Sequence, residues 1–195
     1  MRPAGHKGSI IHLMNNALIL HGTGGNHNSN WFPWIHRELK NLGWEVWTPD
    51  LPGADAPDIR KYNDFILGKW KFNKDSVIVG HSSGAVAILG LLQAIPKNVV
   101  INKAILVAGF TDDLGSKSLS GLFRYKFDWK KIKSKASKFI LYHSDDDPYV
   151  KLDYGRKLEK SLDAELIILK NQGHFNLEKG PVYQRFPEVL EKILA

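Results

Sequence analysis

Cysteine is absent from this 195-residue chain, which excludes a disulfide framework, thiolate zinc sites, iron–sulfur clusters and a cysteine nucleophile. No apolar run approaches the ~20 residues that a membrane span needs. Neither His-x-x-x-His nor His-Glu-x-x-His occurs, so no metal is expected, and no Gly-Lys-Ser/Thr stands at Walker spacing for a phosphate loop. There is no internal repeat and no Gly/Ser-rich or Pro-rich linker, so one domain is expected. With 43% hydrophobic, 24% charged and 11% aromatic residues, disorder, collagen-like repeats and coiled coil are excluded as well.

The charge balance is basic, 27 Lys and Arg against 20 Asp and Glu, for a net +7. The lysines are scattered except for Lys126, Lys130, Lys131, Lys133, Lys135 and Lys138, a density that reads as a solvated face, and no nucleic-acid partner is expected. The stretch from Met1 to Met14 lacks the apolar core of a secretory signal, so a cytoplasmic protein without membrane attachment is the expectation. Residues 1–13 read as an N-terminal extension to a domain over 14–195.

Short β-branched runs alternate with longer amphipathic ones, the pattern of repeated βα units on a mainly parallel sheet in a three-layer α/β sandwich. Strands are expected at Ala17–Leu20, Glu45–Thr48, Ser76–Val79, Lys103–Val107, Lys138–Tyr142 and Glu165–Leu169. Helices are expected at Trp31–Leu42, Ile59–Gly68, Ser83–Ala94, Val150–Leu162 and Tyr183–Leu194. The long connection Thr111–Ser137 holds Leu122, Phe123, Tyr125, Phe127 and Trp129; it is either an aromatic stripe packed on the fold or a substrate-facing lid.

The sharpest motif is Gly80-His81-Ser82-Ser83-Gly84, placed between an apolar strand and a small-residue helix. This is a nucleophile-elbow pattern, in which the tight strand-to-helix turn excludes side chains at the glycines and lifts the serine hydroxyl off the sheet. A serine hydroxyl needs a base, and the base needs an acid to fix its tautomer. His174 follows the sixth strand and Asp145, Asp146 and Asp147 follow the fifth, each at the carboxyl end of a strand where open α/β sheets place their sites. The chain order Ser, Asp, His is that of α/β-hydrolases. Asp147 is favoured because Pro148 is expected to open the next helix, with Asp145 and Asp146 as alternatives. The loop His21–Asn26 follows the first strand, where a second oxyanion donor is needed, and the backbone N–H groups of Thr23 and Ser83 are assigned, with Gly24 as the alternative. Trp31 and Trp34 read as core anchors, with Trp31 otherwise a wall of the acyl pocket beside Gly24 and Phe175.

Several stretches together resemble the small serine hydrolases of the retinoblastoma-binding protein nine and YdeN-like family, within the α/β-hydrolase superfamily. They are Ala17–Asn26, Asn30-Trp31-Phe32-Pro33-Trp34, Pro49-Asp50-Leu51-Pro52, Gly80–Gly84, Asp146–Val150 and Gly173-His174-Phe175-Asn176. The resemblance implies a compact hydrolase without the first strands of the full superfamily sheet and without a large cap. It implies a triad on Ser82, Asp147 and His174, no cofactor, and activity on small-molecule esters or amides. The Leu-x-Cys-Glu-type motif of the vertebrate protein cannot exist in a chain without cysteine, so that partner is not carried over. Lys151 stands where many relatives have proline, which alters a helix start. The expected chemistry is ester cleavage through an acyl-enzyme. Amide or peptide cleavage by the same residues, or a protein-binding module on a hydrolase scaffold, are the alternatives.

Overall fold

A computed structural model describes residues 15–195. The extension expected over residues 1–13 lies outside the described residues. The sheet has 6 parallel strands in the order β2-β1-β3-β4-β5-β6. In chain order these are β1 (Asn16–Leu20), β2 (Glu45–Trp47), β3 (Val77–His81), β4 (Ile101–Val107), β5 (Ala136–Ser144) and β6 (Glu165–Leu169). The helices are α1 (Phe32–Asn41), α2 (Ile59–Leu67), α3 (Ser83–Ala94), α4 (Trp129–Lys133), α5 (Leu152–Leu162) and α6 (Pro187–Leu194).

Successive strand residues face opposite sides, and both sides are covered, which is why the central strands are apolar throughout. Leu18, Leu20, Ile78, Leu106 and Leu141 pack with α2, α3 and α5. Ala17, Ile19, Val79, Val107 and Tyr142 pack with α1 and α6 on the other face. The three-layer sandwich follows. α3 is buried over nearly its whole circumference, and Gly90 lets α2 approach it: a Cβ there would stand 2.1 Å from Ile59 Cδ1. α2 is started by Asp58, whose carboxylate accepts the amides of Arg60 and Lys61.

The site is set by topology. From β1 the chain passes to β2 at the sheet's edge and returns to β3 on the other side of β1. The helices that follow β1 and β3 therefore cover opposite faces, and a crevice opens between their entry loops.

Three expectations are corrected. The final helix begins at Pro187, not Tyr183, because the residue before a proline is pushed out of the helical region, and Phe186 has φ −144°. α5 begins at Leu152, not Val150, because the Asp147 carboxylate accepts the amides of Tyr149 (2.9 Å) and Val150 (3.0 Å) and closes a turn first. Pro148 thus opens no helix.

The Thr111–Ser137 segment divides. Leu122 is buried, and Phe123, Phe127 and Trp129 pack on the core, partly through the 3₁₀ turn Lys117–Phe123 and α4. Ser116 and Ser118 face the crevice, and Leu114 and Leu119 line it while also packing on the core. Within the lysine cluster, Lys135 donates to the carbonyls of Pro96, Lys97 and Val99, while Lys133 pairs with Asp163 and Lys138 with Glu165.

Candidate active site

Ser82 ends the β3-to-α3 turn with φ 55° and ψ −123°, a conformation that side chains with a Cβ rarely adopt. Its amide is tied to the Val107 carbonyl at 2.8 Å. The flanking glycines are sterically required. A Cβ on Gly80 would stand 2.5 Å from the Gly84 carbonyl oxygen, and one on Gly84 would stand 2.5 Å from the carbonyl oxygens of both Leu20 and His21. Backbone on three elements meets here, so nothing could give way cheaply.

The loop after β1 lies alongside. Thr23 Oγ1 donates to Ser83 Oγ at 2.9 Å and couples the two loops. The amides of Thr23 and Ser83 have no acceptor among the described residues, whereas the Gly24 amide donates to Ala54 O at 3.0 Å. Gly24 is thereby withdrawn as the alternative donor. His21 Nε2 accepts the Leu51 amide at 2.9 Å, which leaves the proton on Nδ1, 2.8 Å from the Gly22 carbonyl. Burial holds its pKa below the usual histidine value, so a neutral ring fixes the loop.

His174 Nδ1 lies 2.7 Å from Asp147 Oδ2, with the Asp147 carboxylate fully buried and the imidazole 8% exposed. This contact fixes the tautomer that presents Nε2 to the crevice. The three aspartates hold different parts of one loop. Asp145 accepts the Asn171 amide at 2.8 Å and Asp146 accepts the Gly173 amide at 2.6 Å. Asp146 also accepts the Ser144 hydroxyl and Lys179, and these three donors pull its pKa down to about 2. Asp147 alone reaches the histidine.

The same loop is held from its other side by residues that lie in the motifs but for which no such bracing role was expected. His81 Nε2 donates to the His174 carbonyl at 2.7 Å, Trp31 Nε1 to the Phe175 carbonyl at 3.1 Å, and the Leu177 amide donates to Asn30 Oδ1 at 3.1 Å. Burial depresses the His81 pKa to about 3, so it remains a neutral donor whose ring lies 4.8 Å from that of His174. His143, also fully buried, has no hydrogen-bond partner on either nitrogen among the described residues.

These parts face a cleft of about 590 Å³, whose lining includes Thr23, Gly24, Ser82, Phe110, Leu119, Tyr149, His174 and Glu178. No hydrogen bond joins Ser82 Oγ to His174 among the described residues, and both line this cleft. Gly24 lines the cleft as expected. Trp31 and Phe175 do not. Both are fully buried beneath it, each packed against Phe186, because their aromatic area is better removed from water against β-sheet neighbours than presented to it. Among the described residues no group of three His, Asp or Glu side chains is placed to hold a metal, and no helix is long and apolar enough to cross a membrane.

The chain is similar to known proteins over most of its length. The chain is 27% identical over 164 residues to serine hydrolase RBBP9 of Rattus norvegicus, covering 82% of this chain and 86% of that protein. YdeN of Bacillus subtilis is also 27% identical, covering 83% and 86%. The crystal structure of the B. subtilis ydeN product superposes with a TM-score of 0.86 at 26% identity, over 93% of this chain and 97% of that one. Est1E from Butyrivibrio proteoclasticus, at 16% identity and a TM-score of 0.66, shares the fold over 92% of this chain and 85% of its own. The family described as serine hydrolase matches residues 17–194, and the chain belongs to that family.

Proposed function

We propose that this serine hydrolase cleaves small carboxylic esters through an acyl-enzyme on Ser82. In this reading Ser82 Oγ attacks the ester carbonyl while His174 Nε2 takes its proton, and Asp147 stabilises the imidazolium that forms. The carbonyl oxygen becomes an oxyanion held by the amides of Thr23 and Ser83. Collapse breaks the ester C–O bond, and the alcohol leaves with the proton from His174. Water then attacks the acyl carbon, again losing its proton to His174, and the acid departs as Ser82 recovers its hydrogen.

The observation that carries this reading is the 2.7 Å contact between a fully buried Asp147 and His174, opening into the same cleft as a strained Ser82. Asp147 closes the turn to Val150 with its other oxygen, a task that needs no histidine, so a buried contact to His174 beside the Ser82 hydroxyl and two amides without acceptors among the described residues favours a chemical role. The 590 Å³ volume and the apolar contribution of Phe110, Leu114 and Leu119 suit a small acyl group.

The test is labelling with a fluorophosphonate probe, read by intact mass and peptide mapping. One adduct on Ser82, absent from folded Ser82→Ala, is expected. Folded wild type that takes up no probe would overturn the reading.

A further inference from the structure

The rim of the cleft carries a charge pattern that bears on the alcohol half of the substrate. Apart from the histidines, Glu178 is the one Asp, Glu, Lys or Arg side chain among the residues lining it. No lysine or arginine lies within ion-pair distance of Glu178 among the described residues, and the adjacent Lys179 is committed to Asp146 at 3.0 Å. The carboxylate receives one hydrogen bond, from the Tyr149 hydroxyl to Oε2 at 2.9 Å, and Oε1 receives none among the described residues. Tyr149 is half exposed, and its ring lies 5.1 Å from that of His174.

Position assigns this pair to one side of the reaction. The leaving group takes its proton from His174, so it must lie along that imidazole when the C–O bond breaks. Tyr149 lies against His174 and Glu178 is bound to Tyr149, and all three line the one cleft. Resting on the esterase reading above, we propose that Glu178 and the Tyr149 ring form a rim subsite for a cationic leaving group, so that esters of positively charged alcohols are preferred over neutral ones of the same shape. A carboxylate and an aromatic ring together are the common recognition pair for an ammonium group. The chain's net charge of +7 acts in the opposite sense. Long-range attraction favours anions, so any preference for cations has a local source.

The experiment compares the choline ester and the 3,3-dimethylbutyl ester of one short acid, which share shape and differ in charge, each kcat/KM being divided by that ester's own hydroxide-catalysed rate because the ammonium also makes choline the better leaving group. At low ionic strength the ratio of kcat/KM, cationic over neutral, is expected to be about fivefold in wild type, the scale of one partly exposed ion pair, and to fall to near one in Glu178→Gln. A ratio near one in wild type, or a ratio that Glu178→Gln leaves intact while both esters slow together, would overturn the subsite and leave the esterase reading standing. If neither ester turns over, choline and 3,3-dimethylbutanol are compared as protectants of Ser82 against the fluorophosphonate. Selective protection by choline supports the subsite, and equal protection overturns it. A folded wild type that is never labelled removes the esterase reading and the subsite with it.

Discussion

The turn that carries Ser82 and the loop that carries His174 are positioned by opposite means. Five consecutive residues, Gly80 to Gly84, fix the serine, and they do so by what is missing: a Cβ on either glycine would enter backbone 2.5 Å away. The histidine loop, Asn171 to Leu177, is fixed by what is present. Ser144, Asp145 and Asp146 take its first amides, and Asn30, Trp31 and His81 hold its later groups from two other points of the chain. On the proposed mechanism the contrast has a reason: a nucleophile under strain needs hard walls, because the strain is relieved by any movement. A base that must stay aligned through two proton transfers is served by several directional bonds, each of modest strength.

The contrast can be broken at either end. The largest effect is expected at the histidine itself: Asp147→Asn should lower kcat/KM on an activated ester by about 10⁴-fold while leaving the fold intact. A loss under tenfold would hand the role to another aspartate. At the elbow, Gly84→Ala should cost about 3 kcal/mol and roughly 6–12 °C of Tm, since the clash is with β1 backbone and not with a flexible side chain. A variant with unchanged Tm would show that the turn has slack. His81→Phe replaces the imidazole by a larger aromatic ring and removes the donor to the His174 carbonyl, so kcat/KM should fall about 10- to 100-fold, with a drop in Tm from the tight packing and the unpaired carbonyl. His81→Gln, which can still donate, should recover part of the rate.

The smallest effect is a matter of pH. The Ser144 hydroxyl, the Gly173 amide and Lys179 hold Asp146 at a pKa of about 2, below its ordinary 3.8. A carboxylate with a depressed folded pKa contributes stability above the unfolded value, and the contribution is lost as pH falls from about 4 towards 2. Denaturant midpoints measured across that window should fall more steeply for wild type than for Asp146→Asn. Parallel curves would mean that the loop does not depend on the charge.

Much of this was legible in the sequence, and for particular reasons. The alternation of βα units gave the sheet, and Gly80–Gly84 read directly as an elbow because the steric requirement is confined to adjacent residues. The break before α6 was less legible, since the apolar spacing of Tyr183–Leu194 outweighed the single proline that ends the pattern. Asp147 meets His174, but not because Pro148 opens a helix; its other oxygen closes a turn with Tyr149 and Val150. Trp31 left two readings open because a tryptophan beside an oxyanion loop serves a core or a pocket equally well on paper.

The sequence by itself determined the order of strands and helices, the strained serine between its glycines, and the set of residues from which a base and acid could be drawn. These depend on short-range sterics and on periodicity, which travel with the local chain. Only the tertiary structure decided which aspartate reaches the histidine, that His81 and Trp31 brace its loop from behind, and that Glu178 stands at the cleft's rim. Each of these is a contact between residues that sheet topology brings together, Trp31 with Phe175 and His81 with His174 among them, and no local pattern encodes such a meeting.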